Sequence, residues 1–181
     1  TALGIAYMDP LLKRVDVQRS FEMLGRAAAE DFVHAYPFLA DHYMRGTTGE
    51  PNIAEAWRLF ESAAGRDGKT AAAGTYGMGL LLLDGTGVER DEARGVALIR
   101  EAAEAGLPPA QRILGEIYLD KDVGGAPRPA EALSWLERAL DNGDLLAAGN
   151  LGVVHETGTG VPRDYGKAAD YYGRLAEAGV P

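Results

Sequence analysis

Three histidines are the residues in this sequence that first suggest metal chemistry. His34 and His42 lie eight positions apart, which is two helical turns, whereas the paired histidines of helical zinc sites are one turn apart. His155 occupies a position at which other segments of the chain carry Tyr43 and Tyr118. We therefore interpret the histidines as packing residues, and we predict no metal site and no cofactor.

Two glycine-rich segments, 85–91 and 158–164, suggest phosphate binding, because glycine-rich turns before helices can hold phosphate groups. Both begin Gly-Thr-Gly-Val and end Arg-Asp. A dinucleotide-binding fingerprint also needs a preceding strand and a third glycine at fixed spacing. Neither segment has that glycine, and helical patterns flank both, so we predict turns between helices.

Neighbouring titratable side chains suggest general acid–base catalysis at two places. Asp41 lies next to His42, and Glu116 lies four positions before Asp120. Carboxylates one turn apart on a helix are usually part of a solvated face. We predict no catalytic residue and no enzyme; a deep, closed pocket with perturbed carboxylates would favour an enzyme or a ligand receptor instead.

The composition excludes several classes of function. The chain has 181 residues, 46% of them hydrophobic, with a net charge of −9 and an isoelectric point near 4.8. This charge disfavours binding to nucleic acid or to anionic lipid. No cysteine is present, and the longest apolar run, 78–83, is too short to insert in a membrane. The heavy use of Ala, Gly and Arg suggests a bacterial source, and we expect a soluble protein of the cytoplasm or periplasm.

The two glycine-rich segments belong to an internal repeat. Their starts lie 158 − 85 = 73 positions apart, which is two periods of about 36 residues. A small hydrophobic pair, followed four residues after its first member by a large residue, recurs at 36- to 39-residue spacing. The pairs are Leu3-Gly4, Leu39-Ala40, Met78-Gly79, Leu114-Gly115 and Leu151-Gly152. In the last four copies a small residue lies one turn earlier, which completes one face of an α-helix, and a recurring glycine on that face predicts a close contact between two helices.

A second helix is predicted in each repeat. The residues that predict its start are Asp16, Asn52, Asp91 and Asp164, with Pro129 as the first helical residue of the fourth repeat. Gly106, Gly143 and Gly179 predict left-handed turns after the second helices of the last three repeats. Asp31 and Asp67 take the corresponding places in the first two, and Gly68 lies beside Asp67.

The predicted fold is all-α, with five helix pairs in one domain. The predicted repeat units span residues 1–32, 33–68, 69–106, 107–143 and 144–181. No helix pair can bury its apolar face alone, so neighbouring pairs must stack into a solenoid. Neither end carries a polar capping face, and we expect further repeats or a capping element in a longer natural chain.

The order of small residue, Leu-Gly, aromatic, Gly-x-Gly-Val, Asp and Ala-Ala-Glu resembles the Sel-one-like repeat, a relative of the tetratricopeptide repeat. Segments 74–106 and 147–179 match best, and the resemblance covers essentially the whole chain. It implies a right-handed superhelix that acts as a scaffold or adaptor, and the family has no shared catalytic motif. One bacterial branch carries a cysteine pair in each repeat, which this chain lacks.

The resemblance also implies a concave face, lined by the first helix of each repeat, that binds a peptide or helix of a protein partner. The residues placed on that face are Met8, Asp41, Met44, Arg45, Tyr76, Leu80, Leu83, Arg112, Glu116, Leu119, Asp120, Val153 and Glu156. The apolar members would supply affinity and the charged members would set the register.

Other functions remain open at this point. The chain is also compatible with an inhibitor or immunity protein that blocks one cognate effector enzyme, and with a structural spacer in a larger protein. If Leu80, Leu83 and Val153 pack against neighbouring helices instead, the concave face loses the exposed apolar side chains on which the binding hypothesis depends.

Overall fold

The computed structural model describes residues 17–120, 123 and 125–179. Over these residues the protein is all-helical, with nine α-helices, one 3-10 turn at Val33–Ala35 and no strand. The helices are α1 (Val17–Ala29), α2 (Tyr36–Arg45), α3 (Ile53–Ala64), α4 (Gly68–Asp84), α5 (Glu92–Glu104), α6 (Pro108–Leu119), α7 (Pro129–Asp141), α8 (Leu146–Thr157) and α9 (Tyr165–Glu177). The prediction of an all-α fold is confirmed.

The chain forms two compact units, Thr1–Leu98 and Ile99–Pro181. In the first unit α1 packs against α2, α2 against α3, and α3 against α4. In the second unit α6 packs against α7, α7 against α8, and α8 against α9. Within each unit the first helices of successive repeats also touch, α2 with α4 and α6 with α8. Each unit therefore has a surface to which two first helices contribute.

The helix starts follow the predicted capping residues. The side chains of Asn52, Asp91 and Asp164 each accept a hydrogen bond from the backbone N–H three residues further on, at 3.1, 3.0 and 3.0 Å. α7 begins at Pro129, as predicted. These four predictions are confirmed, and the predicted cap Asp16 lies outside the described residues.

Four of the five predicted left-handed turns are also present. Gly106, Gly143 and Gly179 each lie two residues past the end of a helix and have φ angles of 86°, 96° and 69°. Asp31 has the same place after α1 and a φ of 55°. Aspartate tolerates this conformation better than most side chains, which explains how the first repeat dispenses with the glycine. The prediction for Asp67 is wrong, because its φ is −111° and the neighbouring Gly68 has the left-handed φ of 61° instead.

Each unit has its own hydrophobic core, built from the small and large residues that recur with the repeat. The first core contains Leu24, Leu39, Leu59, Phe60 and Leu81 with interleaved alanines. The second core contains Leu136, Ala139, Ala147, Leu151 and Val154.

Two glycines show why the repeat needs small residues where its helices meet. A Cβ at Gly74 would lie 2.4 Å from the carbonyl oxygen of Phe60 on α3, and a Cβ at Gly152 would lie 2.4 Å from the ring of Tyr172 on α9. Both distances are far below van der Waals contact. The prediction that these glycines mark helix–helix contacts too close for a side chain is confirmed.

Candidate protein-interaction site

An open groove lies in the first unit where the C-terminal parts of α2 and α4 meet. It has a volume of about 520 Å³. The residues that line it are Met44, Arg45, Leu80, Leu81, Leu83, Asp84 and Thr86, and we call it the α2–α4 groove. The structure thus brings together four side chains that the sequence placed on a binding face: Met44, Arg45, Leu80 and Leu83.

Glycines end both helices that form the groove. α2 stops at Gly46 and α4 stops at Gly85, each in a left-handed conformation with φ of 60° and 75°. The chain turns away at once after each helix. The groove residues Arg45 and Asp84 are therefore the last residues of their helices, at the rim.

The floor of the groove is apolar. Leu81 is buried and belongs to the core of the unit, whereas Met44, Leu80 and Leu83 are half-buried and keep part of their surface open to solvent. Met44 also packs against that core, so one part of its side chain is buried and another part is open to solvent. An open depression with an apolar floor has room for apolar side chains of another molecule.

Charged and polar side chains form the rim of the groove. Arg45 donates to Asp41 on the same helix at 2.8 Å, and its side chain is 66% exposed. The Thr86 hydroxyl donates to Asp84 across the end of α4. Leu81, Asp84 and Thr86 line the groove but are not among the predicted binding-face residues. Thr86 could have been found from the sequence, because it lies inside the recurring Gly-Thr-Gly segment.

Asp41 and Tyr76 were also predicted on this face but do not line the groove. Asp41 accepts the hydrogen bond from Arg45, and Tyr76 is half-buried on α4, one turn before Leu80, and is engaged in contacts with other residues. Met8 lies outside the described residues.

In the second unit the predicted charged residues bind each other and their neighbours. Arg112 on α6 donates to Glu116 at 2.6 Å and to Asp144 at 3.0 Å, and Glu116 also accepts from Asn150 on α8 at 3.0 Å. The Arg112 side chain is only 17% exposed. This network joins two successive first helices, so these charges have an intramolecular role that the sequence analysis missed. Asp144 and Asn150 belong to the predicted repeat that follows the one containing Arg112 and Glu116.

The other predicted residues of the second unit differ in their exposure and contacts. Leu119 is half-buried and packs against the core, and Asp120 is exposed at the end of α6. Val153 is 51% exposed on α8. Glu156 accepts a hydrogen bond from the Tyr172 hydroxyl at 2.7 Å, which raises the pKa of that hydroxyl.

Two of the histidines hydrogen-bond within the chain. His42 is buried between Ser20 and Thr47, with ring nitrogens at 3.3 and 2.5 Å from their hydroxyl oxygens, and burial lowers its pKa. His34 lies 2.5 Å from the Thr70 hydroxyl. Within the described ranges, no three His, Asp or Glu side chains come together as a metal would require.

The glycine-rich segments are turns between helices, as predicted. Gly87 packs on the first residue of α3, where a Cβ would lie 2.8 Å from Ile53, and Gly160 packs on the first residue of α7, where a Cβ would lie 2.2 Å from Pro129. Each loop thus rests on the start of the second helix of the preceding repeat. None of the helices in the described part of the chain is both long and apolar enough to cross a membrane.

The model of the Sel1 repeat matches the chain five times, at residues 1–32, 34–67, 72–107, 108–144 and 145–180. The chain belongs to the Sel1 repeat family. Sel1 repeats form a non-catalytic interaction fold, and proteins built from them generally mediate contacts between proteins.

Solved structures of bacterial proteins share the Sel1 fold of this chain. A Sel1 repeat protein of Oxalobacter formigenes is 25% identical with a TM-score of 0.71, and the match covers 98% of this chain and 71% of that one. The immunity protein Pa5087 of Pseudomonas aeruginosa is 24% identical with a TM-score of 0.72, covering 99% of this chain and 64% of that one. The second likeness concerns the fold alone.

A curated relative matches this chain over part of its length only. The DAP3-binding cell death enhancer 1 of Rattus norvegicus is 35% identical over 89 residues, which is 49% of this chain and 17% of the relative. The aligned part thus spans about a sixth of that protein.

Proposed function

We propose that this Sel1 repeat chain is a non-catalytic interaction module that captures a segment of a partner polypeptide in the α2–α4 groove. The observation that carries the proposal is the partly exposed apolar surface of the half-buried Met44, Leu80 and Leu83, with Arg45 and Asp84 at the rim. The general role of Sel1 repeats in contacts between proteins and the name of the rat relative, which states that it binds DAP3, support a protein as the partner.

The groove suits apolar side chains presented by a peptide or a helix. A volume of about 520 Å³ in an open depression admits one or two such side chains, and the covered apolar area would contribute roughly 25 cal/mol per Å². Met44 adapts its shape to different anchors, because its side chain is unbranched and polarisable.

The rims would set the orientation of the bound segment. Arg45 at the end of α2 would attract a carboxylate of the partner, and Asp84 at the end of α4 would attract a basic group. A segment with an apolar centre and opposite charges at its two ends is the partner that fits. Exposed charges of this kind add modest affinity but disfavour wrong partners and wrong directions.

The test is a pull-down from lysate of the source organism with the whole chain and charge-reversal variants. Arg45→Glu changes the rim. Arg58→Glu is the matched control, because Arg58 lies in the same unit, is 63% exposed and also pairs with a carboxylate of its own helix. Leu83→Asp changes the floor, and Ala97→Asp, at an exposed position of α5, is its control. Circular dichroism checks that all four remain folded.

The proposal expects a protein retained by wild type and by both controls, and lost with Arg45→Glu and Leu83→Asp. Equal retention by all variants would place binding elsewhere and overturn the proposal. One tight complex with a single enzyme would favour the inhibitor hypothesis, and several weaker partners would favour a scaffold. Retention of no specific protein would favour a spacer and contradict the proposed site.

A further inference from the structure

A buried polar cluster in the first unit connects two helices and a turn. Ser20 on α1 and His42 on α2 are 0% and 2% exposed, and the Ser20 hydroxyl oxygen lies 3.3 Å from Nε2 of His42. The other ring nitrogen, Nδ1, lies 2.5 Å from the hydroxyl oxygen of Thr47, which belongs to the turn after α2. The imidazole therefore joins α1 to that turn.

Neither Ser20 nor His42 follows the pattern of the later repeats. The next three repeats each bury an apolar residue at the position of His42: Leu81, Ile117 and Val154. The later repeats also bury a residue without a polar side chain at the position of Ser20: Ala56, Gly95, Ala132 and Ala168. Two departures from the repeat thus lie within hydrogen-bonding distance of each other.

The fifth repeat forms the same turn without a histidine at this position. There the Thr159 N–H donates to the carbonyl oxygen of Val154 at 3.2 Å, and in the second repeat the Thr47 N–H donates to that of His42 at the same distance. An imidazole is therefore not required to build the turn. What it adds is a side chain that can gain a proton near neutral pH.

The surroundings of the His42 ring favour its neutral form. Burial lowers the pKa of His42, and the charges of Asp41 and Arg45 on the same helix act on the ring in opposite directions. A neutral imidazole has one donor and one acceptor nitrogen, and the hydroxyls of Ser20 and Thr47 can match both. Asp41 is already paired with Arg45 at 2.8 Å, so a proton on the ring gains no unpaired carboxylate beside it on α2.

The other elements packed against α2 place no further charge on the ring. α1 contributes the Ser20 hydroxyl and the ring of Phe21, whose centroid lies 5.8 Å from that of His42. The remaining side chains of these described elements that are charged, or titrate between pH 5 and 7, are exposed or paired: Arg19, Glu22 and Arg26 on α1, His34 before α2, Glu50 in the turn, Glu55, Arg58 and Glu61 on α3, and Lys69 and Asp84 on α4.

The other two histidines are placed differently. His34 is exposed and lies 2.5 Å from the Thr70 hydroxyl. His155 is 6% exposed and stacks on Tyr171 at 5.7 Å between ring centroids, which confirms the packing role predicted for it. Of the three, His42 is the histidine at the end of a helix that forms the α2–α4 groove.

Two groove residues lie inside the connection that His42 makes. Met44 and Arg45 line the α2–α4 groove and lie between His42 and Thr47 in the chain. Thr47 is exposed, so the ring has its shortest path to water on the side of the turn. Hydration of a protonated ring therefore requires the turn to open, which releases the last turn of α2 and with it one wall of the groove.

We propose that His42, held between Ser20 and Thr47, is a proton-sensitive latch on the end of α2 that loosens the α2–α4 groove when the solution becomes acidic. The open turn takes up a proton with the ordinary histidine pKa of about 6.5, so opening becomes more favourable as the pH falls below that value. The effect on capture of a partner rests on the proposed function, whereas the latch itself does not.

The test is amide hydrogen exchange of the whole chain, followed by nuclear magnetic resonance at pH 7 and pH 5.5. The reporter is the Thr47 amide, which donates to the carbonyl oxygen of His42. The reference is the Gly85 amide, which donates to the carbonyl oxygen of Leu81 at the end of α4, where a leucine takes the place of the histidine. Division by the intrinsic exchange rate at each pH gives the protection factors.

We expect the protection of Thr47 relative to Gly85 to fall at least about 3-fold between pH 7 and pH 5.5. The double variant Ser20→Ala, His42→Leu restores the residue types of the later repeats, and its ratio should be the same at both pH values. An unchanged ratio in wild type, or an equal fall in the double variant, would overturn the latch.

Thr47→Val tests the same connection from the side of the turn. This variant keeps the buried ring but removes one of its hydroxyl partners. We expect the amide at position 47 to lose several-fold protection relative to Gly85 already at pH 7. Unchanged protection would show that the side chain of Thr47 does not hold the turn, and it would contradict the latch even if the double variant did not fold.

Capture at the groove is measured separately, with a partner that the pull-down retains through Arg45 and Leu83. Retention by wild type should fall several-fold from pH 7 to pH 5.5, and retention by the double variant should not. An equal loss in both proteins would place the sensitivity in the partner and overturn control of the groove by the latch. If no partner is retained at either pH, the proposed function fails and control of capture fails with it, whereas hydrogen exchange alone decides the latch.

Discussion

Arg112 on α6 holds Asp144 at the start of α8, with its Nε 3.0 Å from Oδ2, while the other carboxylate oxygen accepts the backbone N–H of Leu146 at 3.1 Å. One carboxylate thus fixes an arginine of the fourth repeat and the first turn of the fifth. An ion pair this well covered differs from an ordinary surface pair, because removing one partner leaves a charge in a poorly solvated place.

Replacing Arg112 should therefore destabilise the second unit. We expect Arg112→Ala to lower the free energy of unfolding by about 2 to 3 kcal/mol, and Arg112→Lys to recover only part of that, because lysine cannot reach Glu116 and Asp144 with two donors in a fixed plane. Urea unfolding followed by circular dichroism measures both. A loss below about 0.5 kcal/mol for Arg112→Ala would show that the network is only a surface feature.

Glycine-to-alanine substitutions should change stability in opposite directions at two helical positions. Gly74→Ala places a methyl group against the backbone of α3, which cannot move aside as a side chain can, and we expect a loss of about 3 kcal/mol or more. Gly173→Ala in α9 meets nothing within 4 Å and should gain about 0.5 to 1 kcal/mol, since alanine favours the helix. Thermal unfolding of the two variants measures the difference, and losses of equal size would contradict the contact geometry.

These glycines also show how far the sequence predicts the structure. Repetition of small and large residues predicts which helix faces meet, and the caps at Asn52, Asp91 and Asp164 lie where the sequence places them. The α2–α4 groove was predicted in part, because Met44, Arg45, Leu80 and Leu83 share one phase of the repeat. That phase does not reveal which charged residues pair with the next repeat. Arg112 and Glu116 have the same sequence signature as Arg45 and Asp41, but pairing with Asp144 and Asn150 of the next repeat depends on three-dimensional contacts.

The stability of the first unit should fall as the solution becomes acidic. Burial lowers the pKa of His42, whereas the unfolded chain has the ordinary value of 6.5 and so binds more protons near and below that pH. The contribution of His42 is therefore present above pH 6.5 and is lost as the pH falls through its lowered pKa. His42→Gln should unfold with a weaker dependence on pH between 7 and 5 than wild type, as measured by denaturant midpoints. Parallel curves for the two proteins would contradict this assignment.

The unpartnered Nδ1 of His155 predicts a gain of stability when the imidazole is replaced. His155→Leu should raise the free energy of unfolding by about 1 kcal/mol, because an apolar side chain of similar size leaves no buried polar atom without a partner. Ala147→Gly on the same helix serves as a control that should destabilise. Chemical denaturation measures the change. A His155→Leu protein that is less stable than wild type would contradict the absence of a hydrogen bond to Nδ1.

The central claim is that a partner polypeptide lies against Leu83 in the α2–α4 groove. The most direct test places the photo-crosslinking residue p-benzoylphenylalanine at position 83 and, as a control, at the exposed position 97 of α5. Irradiation in cells should yield a crosslinked protein from position 83 but not from position 97, and Arg45→Glu should abolish the product. Crosslinking of the same protein from both positions, or a product at position 83 that is unaffected by Arg45→Glu, would contradict the claim.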